Sequence, residues 1–250
     1  YLHNCGIVFY QRGVFGDQIV LDQSWALDAV YAVFQREKCY RQLCGLDGRF
    51  SRPLLEALVW QEYSTAEQVL FLSLMTSCGI CFVHRPGGNG IEAEYVAPDL
   101  LPERAAVEGK LAGRWNPDAP TTKRTWTYEF LHPGLVRTVI SKLGEIARDS
   151  AVYWKYGIWA YEATARAAFQ LHQIMLDDCR GQLVLEVQGT HTDELVERLA
   201  TLIEDCQSRS GCGRVEVSGM DSGRVAGKRR PADADDRPHD ERAQPPLRLQ

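Results

Sequence analysis

The sequence predicts an α+β protein: a winged-helix-like first subdomain followed by an antiparallel sheet with two helices on one face. Three observations carry this. A hairpin pattern occurs twice, opening as Cys5-Gly6-Ile7-Val8-Phe9 and as Cys78-Gly79-Ile80-Cys81-Phe82, each copy leading through a turn into a second strand. Between the copies lie three helix-like segments and a short strand-like stretch, the element order of a winged-helix unit bordered by hairpins. A second block then sets alternating strand patterns between two helices with one apolar face each.

The first hairpin pairs 6–9 with 18–21 through Arg12-Gly13-Val14-Phe15-Gly16-Asp17, a stretch rich in turn residues. Asp22 or Ser24 caps the next helix, whose apolar positions Trp25, Ala26, Ala29, Val30, Val33 and Phe34 recur at helical spacing. A polar stretch ends at Gly45 and Gly48, and Arg49-Phe50-Ser51 reads as a short strand. Pro53 opens a second helix with Leu54, Leu55, Leu58 and Val59 inward. Ser64 and Glu67 form a capping box that heads a third helix, apolar on nearly every side and therefore expected to be buried. The second hairpin turns at Pro86-Gly87-Gly88-Asn89-Gly90 and returns at 94–96.

Pro98, Pro102 and a charged run, in which Glu103, Arg104, Glu108 and Lys110 read as a solvated face, lead to 113–122, a linker or long loop. In the second block Trp126-Thr127-Tyr128-Glu129-Phe130 alternates as a strand does. Pro133 starts a helix with Leu135, Val136, Val139, Ile140, Leu143 and Ile146 on one face. The segments 153–161, 166–174 and 182–188 are further strands, joined most plainly by the turn Asp177-Asp178-Cys179-Arg180-Gly181. A helix capped near Thr192 carries Leu195, Val196, Leu199, Leu202 and Ile203 inward, and beyond 208 the composition turns to Gly, Pro, Asp and Arg, as in a disordered tail or linker. The expected domains are therefore 1–112, 123–207 and a tail at 208–250.

Composition narrows the function. The 45% hydrophobic and 24% charged fractions are those of a soluble globular protein, and no apolar run approaches the ~20 residues that cross a bilayer. A cytoplasmic location with no membrane partner is the expectation. The absence of an initiator Met suggests a piece of a longer chain. A net charge of -5 gives no electrostatic reason to approach nucleic acid. The eight cysteines are too dilute for a disulfide scaffold. Cys78 and Cys81 are a lone C-x-x-C which, on one strand, would point to opposite faces, so core filling outweighs metal or redox use.

No nucleophile sits in pattern beside a base, and the six histidines show no metal spacing. His132, before a Pro at a strand-to-helix turn, suits a backbone hydrogen bond better than catalysis, and Asp177-Asp178 reads as a turn rather than an acid pair. Neither a catalytic residue, a cofactor, a metal nor a small-molecule substrate is expected. The aromatics of 153–161 stand out. Read as one strand, the stretch puts Tyr153, Trp159 and Tyr161 on one side, where they either pair across strands or meet a partner.

Several landmarks together resemble one family. Leu2-His3-x-x-Gly6-Ile7 through Asp17-x-Ile19-x-Leu21-Asp22-x-x-Trp25 is followed by Tyr128-Glu129-Phe130-Leu131-His132-Pro133-Gly134-Leu135. Trp154-Lys155-Tyr156-Gly157-Ile158 and Leu183-x-Leu185-x-Val187-x-Gly189 come next. In this order, over about 1–207, they resemble the COR domain, the segment that follows the Roc GTPase domain in Roco proteins. Gln23 stands where that family usually has Pro, so the helix cap differs in detail.

The resemblance implies a non-catalytic module of a bacterial Roco protein, with the Roc GTPase upstream in the same polypeptide. The first subdomain would pack on Roc, with Phe15, Ile19 and Leu21 as the GTPase-facing residues. The second would mediate homodimer contacts through Tyr153, Trp159 and Tyr161. No G-x-x-x-x-G-K-[ST] occurs, so the chain itself is expected to bind no GTP or GDP. The alternative from another class is a winged-helix nucleic-acid-binding regulator. Against it, the third helix carries no Lys or Arg, and the second hairpin offers only His84 and Arg85. A hydrolase or redox enzyme using Cys78 and Cys81 comes third.

Overall fold

The computed structural model describes residues 22–35, 39–210 and 215–218. The first hairpin, with Phe15, Ile19 and Leu21, lies outside the described residues.

Helix α1 (Gln23–Phe34) begins where the Asp22 carboxylate accepts the amide of Trp25 at 3.0 Å, which decides between the two possible caps. Its buried side chains, Ala26, Ala29, Val30 and Val33, form the expected stripe. Helix α2 (Arg41–Gly45) and a turn through Gly48 lead to strand β1 (Arg49–Ser51). Gly48 has φ +72°, and a Cβ there would stand 2.9 Å from the Ala97 carbonyl, so only glycine fits. Helix α3 (Arg52–Leu58) carries Pro53 in its first turn.

Helix α4 (Thr65–Ser77) carries the complete Ser64/Glu67 capping box. It buries Gln68, Phe71, Leu72, Leu74 and Met75 but leaves Val69 exposed, so it is half covered rather than enclosed. Trp60 locks this helical layer from within: it is fully buried and its indole N–H donates to the Ala29 carbonyl at 2.9 Å.

Cys78 and Cys81 do not share a strand. Cys78 caps α4, and Gly79 follows at φ +69°. The amides of Gly79 and Ile80 return to the carbonyls of Thr76 and Met75, a Schellman stop that ends the helix before strand β2 (Phe82–Arg85) begins. Cys81 is buried, and burial alone pushes its thiol far above the ordinary range, as befits a core residue. Strand β2 turns back into β3 (Glu94–Val96), and β3 is central in a three-stranded antiparallel sheet of order β1-β3-β2.

After a 3-10 turn at Pro98–Leu100 comes helix α5 (Arg104–Leu111), where the sequence suggested a solvated charged face. Its Val107 and Leu111, one helical turn apart, are buried. The second block is a six-stranded antiparallel sheet of order β5-β6-β7-β8-β4-β9. Its strands are β4 (Thr122–Tyr128), β5 (Val152–Trp154), β6 (Gly157–Glu162), β7 (Ala167–Met175), β8 (Gly181–Gly189) and β9 (Val215–Ser218). Helices α6 (Pro133–Ala147) and α7 (Thr192–Arg209) cover one face, burying Leu135, Val139, Leu143, Leu195, Leu199 and Ile203 among others.

Ile146, expected inward, is exposed. Residues expected in the tail from 208 are ordered elements here: α7 runs on to Arg209, and Val215–Ser218 pairs with β4 at the sheet edge. Four extended residues at an edge leave too short a pattern to read among their Gly- and Ser-rich neighbours.

The stretch 153–161 is not one strand. A two-residue turn at Lys155-Tyr156, with Tyr156 at φ +67°, folds it into the β5-β6 hairpin. The Trp154 ring lies across Gly157, where a Cβ would collide with it. This break in the alternation puts Tyr153 with Ile158 on the helix face, and Val152 and Trp154 with Trp159 on the reverse face.

Candidate functional site: a buried relay where the two blocks meet

The blocks are not beads on a linker. Phe82 of β2, Val96 of β3 and Leu101 are buried in the same apolar cluster as the sheet and α6. The Phe82 ring meets Tyr153 edge-on, with centroids 5.6 Å apart. Gly144 of α6 makes this approach possible, since a Cβ there would lie 2.7 Å from both the Phe82 ring and the Tyr153 hydroxyl.

Within this apolar seam runs a chain of polar groups. Phe82 and His84 occupy the inward positions of β2, and His84 is 1% exposed. Its Nε2 lies 3.0 Å from Arg49 Nη1, and its Nδ1 lies 2.8 Å from the Tyr153 hydroxyl. The other Arg49 terminal nitrogen donates to the Ala151 carbonyl at 3.1 Å. A guanidinium has only donors, so Nε2 must accept and the ring proton must sit on Nδ1, donating to the Tyr153 oxygen. Glu94 stands 3.6 Å from Arg49, 3.9 Å from His84 and 3.6 Å from Arg85, and Arg85 reaches Asp149 at 3.7 Å.

Burial, reinforced by the Arg49 charge, holds His84 below the usual histidine range. Burial also pushes the Tyr153 hydroxyl far above the usual tyrosine range. Both groups are therefore neutral near pH 7, and their geometry joins structure to structure rather than presenting an acid or base to solvent.

Helix α5 grips the same strand from the other side. Val107 and Leu111 pack on Val152, Trp154 and Trp159. Arg104 lies 5.2 Å from the Trp154 ring centre and Arg114 lies 5.6 Å from that of Trp159. Lys155 pairs with Glu103 at 3.0 Å, and Lys110 pairs with Asp47. A cleft of about 530 Å³ opens between the end of α4 and α6, but its cations are engaged: Arg137 by Asp99 at 2.6 Å and Lys142 by Glu145 at 3.0 Å.

Of the aromatics expected at a dimer contact, Tyr153 and Trp159 are 3% and 6% exposed and so are taken up inside the chain; Tyr161, at 46%, faces solvent. The other expected roles hold as local structure. His132 Nδ1 accepts the Gly134 amide at 3.0 Å at the start of α6. The Asp177 carboxylate accepts the amides of Cys179 and Arg180 in the β7-β8 turn, which lowers its pKa to about 2. Among the described residues, no group of His, Cys, Asp and Glu could hold a metal ion, and no helix is long and apolar enough to cross a membrane.

Residues 1–101 match the family model of the COR-A domain, C-terminal of Roc. Over these residues the chain is similar to the COR-A domain, the segment that lies C-terminal of Roc. The match ends at Leu101, just after the 3-10 turn that follows β3, so it takes in the whole relay up to Glu94, while Tyr153, Ala151 and Asp149 lie in the block beyond it. No curated protein matches the chain. The relay joining the COR-A block to the second block went unread in the sequence because its partners are 35 and 69 residues apart. A histidine two residues after Phe82, at an inward strand position, was the available signal.

Proposed function

We propose that this chain is a docking and dimerisation module that couples the nucleotide state of an upstream Roc GTPase to homodimer assembly, without catalysing a reaction itself. The observation that carries the reading is the COR-A match over 1–101 in a block that sends Phe82, Val96 and Leu101 into the core of the following α+β block. On this reading the COR-A block is a winged helix: α1, β1, α3, α4, β2 and β3 follow in that order, with β1 beside β3. The first hairpin, with Phe15, Ile19 and Leu21, faces the GTPase. The second block is the COR-B-like dimerisation unit.

Because Tyr153 and Trp159 are internal, the dimer surface is assigned to side chains that are free to meet a second copy. Tyr161 is one, and Phe130, Met175 and Leu176, about half exposed at the end of β4 and around the β7-β8 turn, form a second group. Nucleic-acid binding has little support, since α4 has no cation and phosphate recognition needs several.

The test uses the chain joined to its Roc domain. Ile19→Asp should change the GTP hydrolysis rate and weaken Roc association. Leu176→Asp should shift a sedimentation series toward monomer. Unaltered hydrolysis and association in the first variant, with a dimer indifferent to Leu176→Asp and Tyr161→Ala, would refute the reading.

A further inference from the structure

We propose that the Arg49, His84 and Tyr153 relay is a proton-operated latch between the two blocks, closed when the His84 ring is neutral and opened when it takes up a second proton. The inference stands on the junction geometry and does not depend on the GTPase reading.

Neutral His84 can serve both neighbours only in one form, with Nε2 bare toward Arg49 and Nδ1–H toward Tyr153. A second proton has one place to go, Nε2, which faces a guanidinium nitrogen 3.0 Å away. Two donors and two positive charges would then oppose each other, one charge on a buried ring and the other on the Arg49 side chain, which is 30% exposed. Because Arg49 also holds the Ala151 carbonyl, displacing it breaks a second bond across the junction.

Charged and titratable groups face the relay from several packed elements. Strand β1 contributes Arg49, β2 contributes Arg85, β3 contributes Glu94, the turn before β5 contributes Asp149, and β5 contributes Tyr153. Helix α6 brings Gly144 against the Tyr153 hydroxyl. Glu94 and Asp149 favour the protonated ring, yet burial and Arg49 outweigh them, so the net bias keeps the latch closed at neutral pH. The closed junction is thus stable at and above the ordinary histidine range and weakens as pH falls below about 6.5. Histidine is the side chain that reads this interval.

The experiment uses the full chain. Long-range proton–nitrogen spectra at pH 7.5 should show the His84 proton on Nδ1; a proton on Nε2 would overturn the proposal. Between pH 7.5 and 5.5, after correction for intrinsic exchange, the amides of β5 should lose protection several-fold in the parent chain. His172→Gln, which removes another histidine held low by burial, should leave that loss in place. His84→Gln, which cannot titrate, should abolish it, and an undiminished loss in that variant would overturn the latch. Should His84→Gln not fold, the parent spectra decide: His84 protonation that leaves β5 protection unchanged defeats the proposal, and protonation that tracks its loss sustains it.

Discussion

Strand β5 is three residues long, and its two faces are held by different physics. On the helix side, Tyr153 is fixed by the Phe82 ring, the Gly144 gap and the hydrogen bond from His84. On the reverse side, Val152 and Trp154 lie under α5, held by apolar contact and by the Arg104 guanidinium over the indole. Hydrogen bonds demand one tautomer and one rotamer, whereas the close packing of the reverse face makes no demand on protonation. The contrast shows how a strand too short to stand alone becomes the point where the first block is fastened to the sheet. It also locates sensitivity to pH on one face only.

The largest effect should come from deleting the apolar anchor common to both blocks. Phe82→Ala is expected to cost about 3–5 kcal/mol in urea unfolding, because it combines lost burial with a cavity between β2, α6 and Tyr153. Breaking the relay should come next. Arg49→Met leaves His84 Nε2 and the Ala151 carbonyl without their donor, and about 2–3 kcal/mol should be lost by the same measurement. A loss equal to that of an exposed Arg substitution would place the relay outside the energetics of the junction.

On the opposite face, Leu111→Ala should cost about 2 kcal/mol and raise the tryptophan emission wavelength as water reaches Trp154 and Trp159. If the two faces are independent, this variant and Arg49→Met will be additive. If β5 transmits strain between them, they will not, and the double mutant measures the coupling. The smallest change is expected at the rim of the cleft beside α6: Lys142→Ala removes an exposed pair with Glu145 and should alter stability by less than about 0.5 kcal/mol.

Local grammar made much of this fold legible. The Ser64/Glu67 box, Pro53, the glycine-rich turn at 86–90 and the apolar stripes of α6 and α7 each act within a few residues, and each element stands where its pattern lies. Alternation misled at 153–161 because Trp154 and Gly157 are paired across a two-residue turn that inverts the period between them. Helix α5 was hidden because Val107 and Leu111 are its only buried residues among charges that cover its rim.

Of the site, the COR resemblance was readable in the order of four landmarks, and the COR-A part is matched over 1–101. The relay was not. Arg49 stood only as the first residue of a short strand and His84 as a residue of the second hairpin until the fold brought both to Tyr153, and no local pattern announces a contact made across two blocks.

Because β5 is fastened to the first block, the two blocks are expected to open as one unit. Native-state hydrogen exchange on the full chain tests it directly by comparing the amides of β2 and β3 with those of β5 and β6. One shared opening free energy is expected for all four strands, splitting into two values in His84→Ala. Free exchange of β2 and β3 in the parent chain while β5 and β6 stay protected would contradict it.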